Sequence, residues 1–573
     1  MAIKTNIRAL MLGAVAGAAL MPGYAAAQDA QQTDKLQRQI DEMQQQIQTM
    51  QRQVADAKKS AAQANALAGA YGQGGPAGLT KAAILPAGVK LYWGGFIEAA
   101  GIWRSHNEVA DVGSDFNTGM PFPISPLFHE NETRFSARQS RLFFGADGQI
   151  STTQMIKAYF EMDFLGGATT ANSRESNSYN PRIRQAFLSY DDTYYGWHVL
   201  AGQAWSLVTQ NRNGIVARQE NIPLTIDAQY VVGFNWTRNA QIRVVKDFGP
   251  AVSIGVSAES PQVVFQAPGS NTPFGLVINS ANQGQGSGLM DDVTSYSTDT
   301  IPDIVEKVAF DPGWGHYEVL GLQRWFTDRA QSCNLAVLAA CPAAFGVANL
   351  GPANNMTTTG WGVGGSVLLP VVPKFLDVQG SVLYGHGIGR YGSGQMADVT
   401  FARDGSLTPL TQLEALVGAV LHVTPDLDIY AYAGLERSDA NFSGSSGPAA
   451  VGSPNAIGYG NPAYNNAACA LENFGGPFAP AVGASVVGAS EGNGTCAVNT
   501  RQLTEVTVGF WQNFYKGPMG RVAGGAQFEY IHRDTFTASG SGAAAVAGFP
   551  TGTPFTPATN EAIAMASLRY YFP

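Results

Sequence analysis

The chain has 573 residues, of which only 13% are charged and 67 are glycine, with a formal net charge of −9. Its mean hydropathy is −0.05, which suits a large β protein with many turns better than a single soluble domain. The acidic balance argues against nucleic acid as a partner.

The amino terminus reads as a secretory signal over residues 1–27: Lys4 and Arg8, an apolar run over 9–20, then Ala25-Ala26-Ala27 before Gln28. Removing Lys4 and Arg8 leaves 32 of the 34 basic residues against 43 acidic ones, a net charge of −11. Over 28–66, Leu36, Ile40, Met43, Ile47, Met50, Val54, Ala57, Ala61 and Ala64 alternate at steps of four and three, a heptad seam with polar residues elsewhere. A helix packed on its own domain would give a similar stripe, but a flank such as Gln44-Gln45-Gln46 leaves little apolar surface beyond the seam, so a self-associating coiled coil is expected. With Ile40, Ile47 and Val54 at a and Leu36, Met43 and Met50 at d, packing rules alone favour a dimer. Residues 67–88, carrying Gly72, Gly74, Gly75, Pro76, Gly78 and Pro86, read as a linker.

Past the signal there is no uninterrupted apolar stretch of the about 18 residues a membrane helix needs, so an exported chain of this kind is either soluble or a barrel. The stretch 134–166 speaks for a barrel over 89–573. Lys157, Tyr159, Glu161 and Asp163 alternate with Ile156, Ala158, Phe160, Met162 and Phe164, and Arg141 opposes Leu142, Phe144 and Ala146. Such a strand meets two different solvents. If the apolar face meets lipid, the charged face must line water, because a charge at the bilayer midplane costs roughly 2 to 4 kcal/mol. Further along, Leu413 to Val423, Leu427 to Ala433 and Ala564 to Phe572 repeat the pattern. Seven short turn signals, at 148–152, 191–196, 247–251, 311–315, 370–377, 424–426 and 516–520, alternate with eight long polar segments. Those lie at 106–133, 167–180, 209–230, 260–300, 327–357, 391–408, 440–499 and 539–558. The count predicts an all-β transmembrane barrel of about sixteen antiparallel strands.

Aromatics at predicted strand ends, Tyr92, Trp93, Trp103, Tyr194, Tyr195, Trp197, Trp314, Trp325 and Tyr515, suit interfacial girdles. Between His316 and Phe326 the alternation is muddled and no face can be assigned. Cys333 with Cys341 and Cys469 with Cys496 lie in loop-like segments; local pairing as two disulfides is expected in an oxidising compartment, with free thiols the alternative. Gly387-Ile388-Gly389-Arg390-Tyr391-Gly392 matches a dinucleotide fingerprint, but no helix pattern opens after it. The seven histidines show no paired metal spacing, so no metal, cofactor or catalytic site is expected, and an enzyme is a remote third class.

Positive side chains recur on the polar faces: Arg141, Lys157, Arg182, Arg184, Arg243 and Arg569 are candidate pore-lining residues, with Glu161 and Asp163 beside them. Rings of Arg or Lys lower the barrier to anions. The bland alternative is that these cations only pair with Glu98, Glu161, Asp163 and Asp247 across the wall. The segment 209–230, after the fifth predicted strand, carries Arg212, Arg218, Glu220 and Asp227 and could narrow the channel by folding inward. The expected function is passive diffusion of small hydrophilic solutes, with small anions favoured. A sugar channel using Tyr159, Tyr430 and Tyr432 as a stacking track, and a structural tether between outer membrane and cell wall through the coil, are the alternatives.

Ala137-Arg138-Gln139-Ser140-Arg141-Leu142, Glu161-Met162-Asp163-Phe164, Gly202-Gln203-Ala204-Trp205-Ser206 and the closing Leu568-Arg569-Tyr570-Tyr571-Phe572, behind an exported heptad segment, resemble the DcaP-like outer-membrane porins over nearly the whole mature chain. The resemblance implies a homotrimer of sixteen-stranded barrels among outer-membrane lipids, a periplasmic coiled coil, and uptake of small anions such as dicarboxylates. Trimers would override the dimer read from the heptads. Two features depart from the family: the long cysteine-bearing loops, and Pro573 after Phe572.

Overall fold

The computed structural model describes residues 83–84 and 89–573, apart from 124, 168–178, 266–272, 274–275, 284–294, 334–349, 444–456, 463, 465–468, 470–498 and 540–553. The signal peptide and the heptad segment expected over 1–66 lie outside the described residues.

Sixteen antiparallel strands close into a barrel. In chain order they are β1 (Lys90–Arg104), β2 (Arg141–Gln149), β3 (Gln154–Asp163), β4 (Arg182–Asp192), β5 (Trp197–Trp205), β6 (Arg238–Phe248), β7 (Val252–Glu259) and β8 (Asp303–Phe310). The second half comprises β9 (His316–Cys333), β10 (Leu350–Val372), β11 (Leu376–His386), β12 (Thr411–Thr424), β13 (Leu427–Ser438), β14 (Thr500–Gly517), β15 (Gly520–Thr535) and β16 (Ala558–Tyr571). Each pairs with its chain neighbours, and the cylinder closes where β16 pairs with β1, Phe96 opposite Tyr571 and Arg104 opposite Ile563. All seven predicted tight turns join strands at one end and all eight predicted long connections lie at the other. Among the described residues no helix is long and apolar enough to cross a membrane; the strands do the crossing.

The wall inverts the pattern of a soluble sheet. Ile242 on β6, Val319 on β9 and Val417 on β12 are 62%, 68% and 55% exposed, while Arg243, Glu318 and Glu414 on the inner faces of the same strands are buried. Apolar side chains bare on the outside with charged ones enclosed is the arrangement a bilayer selects. Seven of the nine predicted girdle aromatics behave as such: Trp93, Trp103, Tyr194, Tyr195, Trp197, Trp314 and Tyr515 are exposed. Tyr92 does not, because it turns inward and its hydroxyl donates to Asp147 at 3.3 Å.

Two predictions change. The segment 327–357 was expected to be a loop, yet β9 and β10 stay in register from His316 opposite Leu368 to Gln331 opposite Ala353. Asn354, Asn355, Thr357, Thr358 and Thr359 make that ladder polar on both faces, which in sequence looks like loop. The muddled stretch of β9 alternates cleanly: His316, Glu318, Leu320, Leu322, Arg324 and Phe326 all point inward and are buried. It read as irregular because its inner face is partly apolar. Leu320 and Leu322 pack on Leu207, Val208, Ile215, Ile388 and Tyr391 from loops folded into the barrel.

At the break preceding β2, Glu132–Ser136 pairs with the far half of β1 and Arg141 resumes the ladder opposite Phe96. The four residues between leave the sheet, and Gln139 reaches inside to donate to Ile226 O at 2.8 Å. Cys469 is buried and disulfide-bonded. Cys341 and Cys496, the expected partners, lie outside the described residues, as does the side chain of Cys333.

Candidate functional site

The connection after β5, residues 206–237, folds inward and crosses the lumen. Its backbone amides have no strand partner there, so they are met by side chains of the wall, as buried amides must be. Near its start, Leu207 N donates to Glu259 at 2.9 Å and Asn211 N to Glu318 at 2.9 Å. The Lys307 amine, buried on β8, donates to Thr209 O at 2.7 Å and to Glu318 at 3.1 Å. Midway, Asn221 donates to Gln379 on β11 at 2.7 Å and Leu224 N to the Tyr432 hydroxyl at 3.0 Å. The Trp511 indole in turn donates to Leu224 O at 2.8 Å. Farther on, Val232 N donates to Glu505 and Gly233 N to Glu436, both at 2.8 Å, and Asn235 donates to Glu414. Ile226, Val231, Val232 and Phe234 bury themselves against Leu503, Ile531, Ile563 and Met565. An apolar core therefore exists, but within the lumen. Tyr432 and Tyr430 are covered by it, and the Tyr430 hydroxyl is spent on Gln527 at 2.7 Å, so they form no bare stacking track for sugars.

The loop leans on an acidic wall, Glu414 and Glu436 with Glu505 and Glu529 on β12 to β15, all buried. Across from its far flank the wall is cationic. Arg182 forms a forked pair with Asp163, Nε to Oδ1 at 3.1 Å and Nη2 to Oδ2 at 2.9 Å. Arg184 spans Glu161 at 2.7 Å and Asp163 at 2.8 Å, and its Nη2 donates to the Tyr230 hydroxyl at 3.2 Å. Arg141 lies 3.7 Å from Glu161, and its Nε is buried without a hydrogen bond. Arg238, at the start of β6, sits 5.0 Å from the rings of both Trp205 and Trp236. Among the described residues it makes no carboxylate pair, and its Nη1 is also buried and without a hydrogen bond. Four guanidiniums thus face two carboxylates, a local excess of two positive charges inside an aromatic frame of Trp205, Tyr230 and Trp236.

Tyr230 reports that excess. Burial pushes its phenol up, but the charges of Arg184, Arg238 and Arg141 outweigh burial and hold it below its usual value. The acids of the same loop go the other way: burial pushes Glu220 and Asp227 above the ordinary carboxylate range, against the pull of Arg243 on the first and a Gln229 N–H on the second.

Of the predicted pore-lining residues, Arg141, Arg182, Arg184, Glu161 and Asp163 come together in this cluster. Lys157 does not: it pairs with Asp191 at 2.8 Å in a network near the tight turns. There His198 bridges Asp191 at 2.7 Å and Asp247 at 3.0 Å, so Asp247 is held by a histidine and not by an arginine. Arg243 is separate too, bonded to Gln241 at 3.1 Å and to Trp205 O, with Glu259 and Glu220 nearby. Arg569 pairs with Glu98 at 2.9 Å between the rings of Phe96 and Trp511. Among the loop candidates, Arg218 lies 4.1 Å over the Tyr159 ring, Asp227 accepts from Ser114 at 2.7 Å, Glu220 accepts from Arg218 N at 3.2 Å, and Arg212 N donates to Gln219 O at 2.7 Å. Sequence reading missed Arg238 and Tyr230; the aromatic triplet Tyr230, Phe234 and Trp236 just ahead of a cation was the available signal. The fingerprint-like segment forms a short 3-10 turn, Gly389–Tyr391, with Ile388 and Tyr391 buried. Among the described residues no cluster of His, Cys, Asp and Glu could hold a metal ion.

No known protein family matches this sequence, and no curated protein does. Among solved structures, the outer membrane channel DcaP of Acinetobacter baumannii aligns over 86% of this chain and 100% of its own, with 18% identity and a TM-score of 0.52. An anion-selective porin from Comamonas acidovorans (9% identity, 84% of this chain and 100% of its own, TM-score 0.40) and OprB of Pseudomonas putida (11%, 84% and 94%, 0.38) are more distant. The chain has the fold of the DcaP outer-membrane channel, as its sequence motifs led one to expect.

Proposed function

We propose that this barrel is a passive diffusion channel of a bacterial outer membrane that favours small anions, carboxylates above all, with no cofactor and no covalent step. The observation that carries the proposal is the cluster of Arg141, Arg182, Arg184 and Arg238 around Tyr230, where among the described residues the paired carboxylates are Glu161 and Asp163. A set of fully neutralised pairs would brace the wall and nothing more. Here Arg141 Nε and Arg238 Nη1 make no hydrogen bond among the described residues, and a desolvated donor is unfavourable until an acceptor arrives. Guanidinium forks match planar carboxylates. The loop over 206–237 narrows the passage beside this cluster, so a crossing solute is brought to it. Assembly as a homotrimer, with the heptad segment in the periplasm, belongs to the same proposal.

The test is the zero-current potential of the full chain in planar bilayers under a potassium chloride gradient. Chloride should carry more current than potassium, and Arg238→Gln should lower that preference about fivefold, the equivalent of about 1 kcal/mol for one ion contact in water. Cation preference in the unaltered channel would remove the proposal.

A further inference from the structure

At the long-loop end of the barrel a cavity of about 430 Å³ opens among residues of five connections. Its chemistry differs from that of the arginine cluster. Among the described residues no Lys or Arg lines it; Arg533 lies behind its wall, with Nε donating to Thr500 Oγ1 at 2.9 Å. The one charged lining group is Asp115, an exposed carboxylate already capped by Asn117 N at 3.1 Å and by Thr118 N at 2.9 Å. The remaining polar surface is amide and hydroxyl. Asn117 accepts from Thr500 Oγ1 at 2.7 Å and Asn499 accepts from Gly460 N at 2.8 Å, which leaves both amide nitrogens without a partner among the described residues. Gln395 is exposed, and its side-chain amide is likewise unbonded. Phe265 and Tyr459 supply ring surface.

This cavity is tied to the cationic cluster through two residues. Gln229, which lines the cavity, donates to Ser393 O at 2.6 Å and immediately precedes Tyr230 in the chain. Ser393, also in the lining, accepts from the Trp236 indole at 3.0 Å, and Trp236 is the ring over Arg238. A solute entering from the long-loop end therefore meets uncharged donors and acceptors and a carboxylate first, and guanidiniums after.

We infer that the cavity binds the hydroxylated portion of a carboxylate solute, so that the channel favours sugar acids, of the aldonate and uronate kind, over unsubstituted dicarboxylates of equal length. Hydroxyls are both donors and acceptors and suit a lining of amides and hydroxyls, while ring faces take the C–H side of a polyol. A plain dicarboxylate brings two charges past Asp115, and the cation behind that wall, Arg533, is already turned to Thr500 and to the Asp115 charge, whereas a sugar acid brings one. The inference rests on the anion-channel reading and adds to it the class of solute.

Uptake into proteoliposomes containing the full chain separates the two, with gluconate, adipate and glucose as probes. Gluconate should enter faster than adipate, and both faster than glucose. The double variant Asn117→Leu with Gln395→Leu should slow gluconate about fivefold, as expected for the loss of one or two hydrogen bonds, and leave adipate and the conductance in potassium chloride unchanged, the latter showing that the barrel assembles. Adipate outrunning glucose, with gluconate gaining nothing or the variant slowing both acids alike, would overturn this inference and spare the anion channel. Glucose entering as fast as both acids would overturn both.

Discussion

At the scale of single residues, the cluster around Tyr230 sets the local charge, and that charge changes with pH in a stated direction. Because Arg184, Arg238 and Arg141 hold the Tyr230 phenol below its usual value despite burial, it ionises before ordinary tyrosines as the solution becomes alkaline. Each ionisation removes one unit from the excess of two, so chloride preference should fall through that range. Tyr230→Phe should abolish this early fall; reversal potentials across a pH series check it, and identical profiles for the two proteins would refute the assignment. Arg141, Arg184, Glu161 and Asp163 were readable beforehand because each occupies a strand position whose neighbours alternate with it. Arg238 was not: like Arg141 and Arg182 it opens its strand, but Thr237 and Asn239 on either side are polar, so no apolar alternation marks it. Pairing partners were less legible still: nothing in the order of residues says that Asp247 meets His198 and not an arginine.

Among elements, the decisive piece is the inward connection over 206–237. Its position after the fifth strand was legible from spacing, but its contacts were not, for they join residues more than two hundred positions apart. It hugs the wall where two glycines meet: a Cβ on Gly434 would collide with Val232 O, and Gly233, at φ +84°, packs on Ala415 O. Gly434→Ala should therefore push the connection off β13 at a cost of about 1–3 kcal/mol, as overpacking does. Single-channel recordings should show larger conductance and weaker ion selection; unaltered conductance would mean that the connection does not limit flow. The same packing explains why no face could be assigned to β9 from its sequence: Leu320 and Leu322 point inward onto Leu207, Ile215 and Ile388. Alternation rules assume water inside a barrel, and they fail where folded loops replace it.

For the molecule as a whole, the asymmetry of seven short and eight long connections carried the strand count, because it depends on turn chemistry and length and not on pairings. The outward face makes its own prediction. Val417 lies midway along β12 and is exposed, so Val417→Arg should destabilise the folded barrel in lipid by roughly 2–4 kcal/mol, measured by denaturant titration in vesicles, whereas the same change in detergent-free water would be nearly neutral for a soluble sheet. The anchors of the inward connection have a temporal meaning as well. Tyr432, Glu436, Glu505 and Gln527 follow the segment they hold by 208, 203, 273 and 301 residues, and contacts of such separation form late because long stretches of chain must first be ordered. During biogenesis the first five strands can meet well before their constriction has anything to grip. The near end of the connection can grip Glu259, Lys307 and Glu318 as β7 to β9 arrive, while its far end stays untethered until the last quarter of the wall is in place.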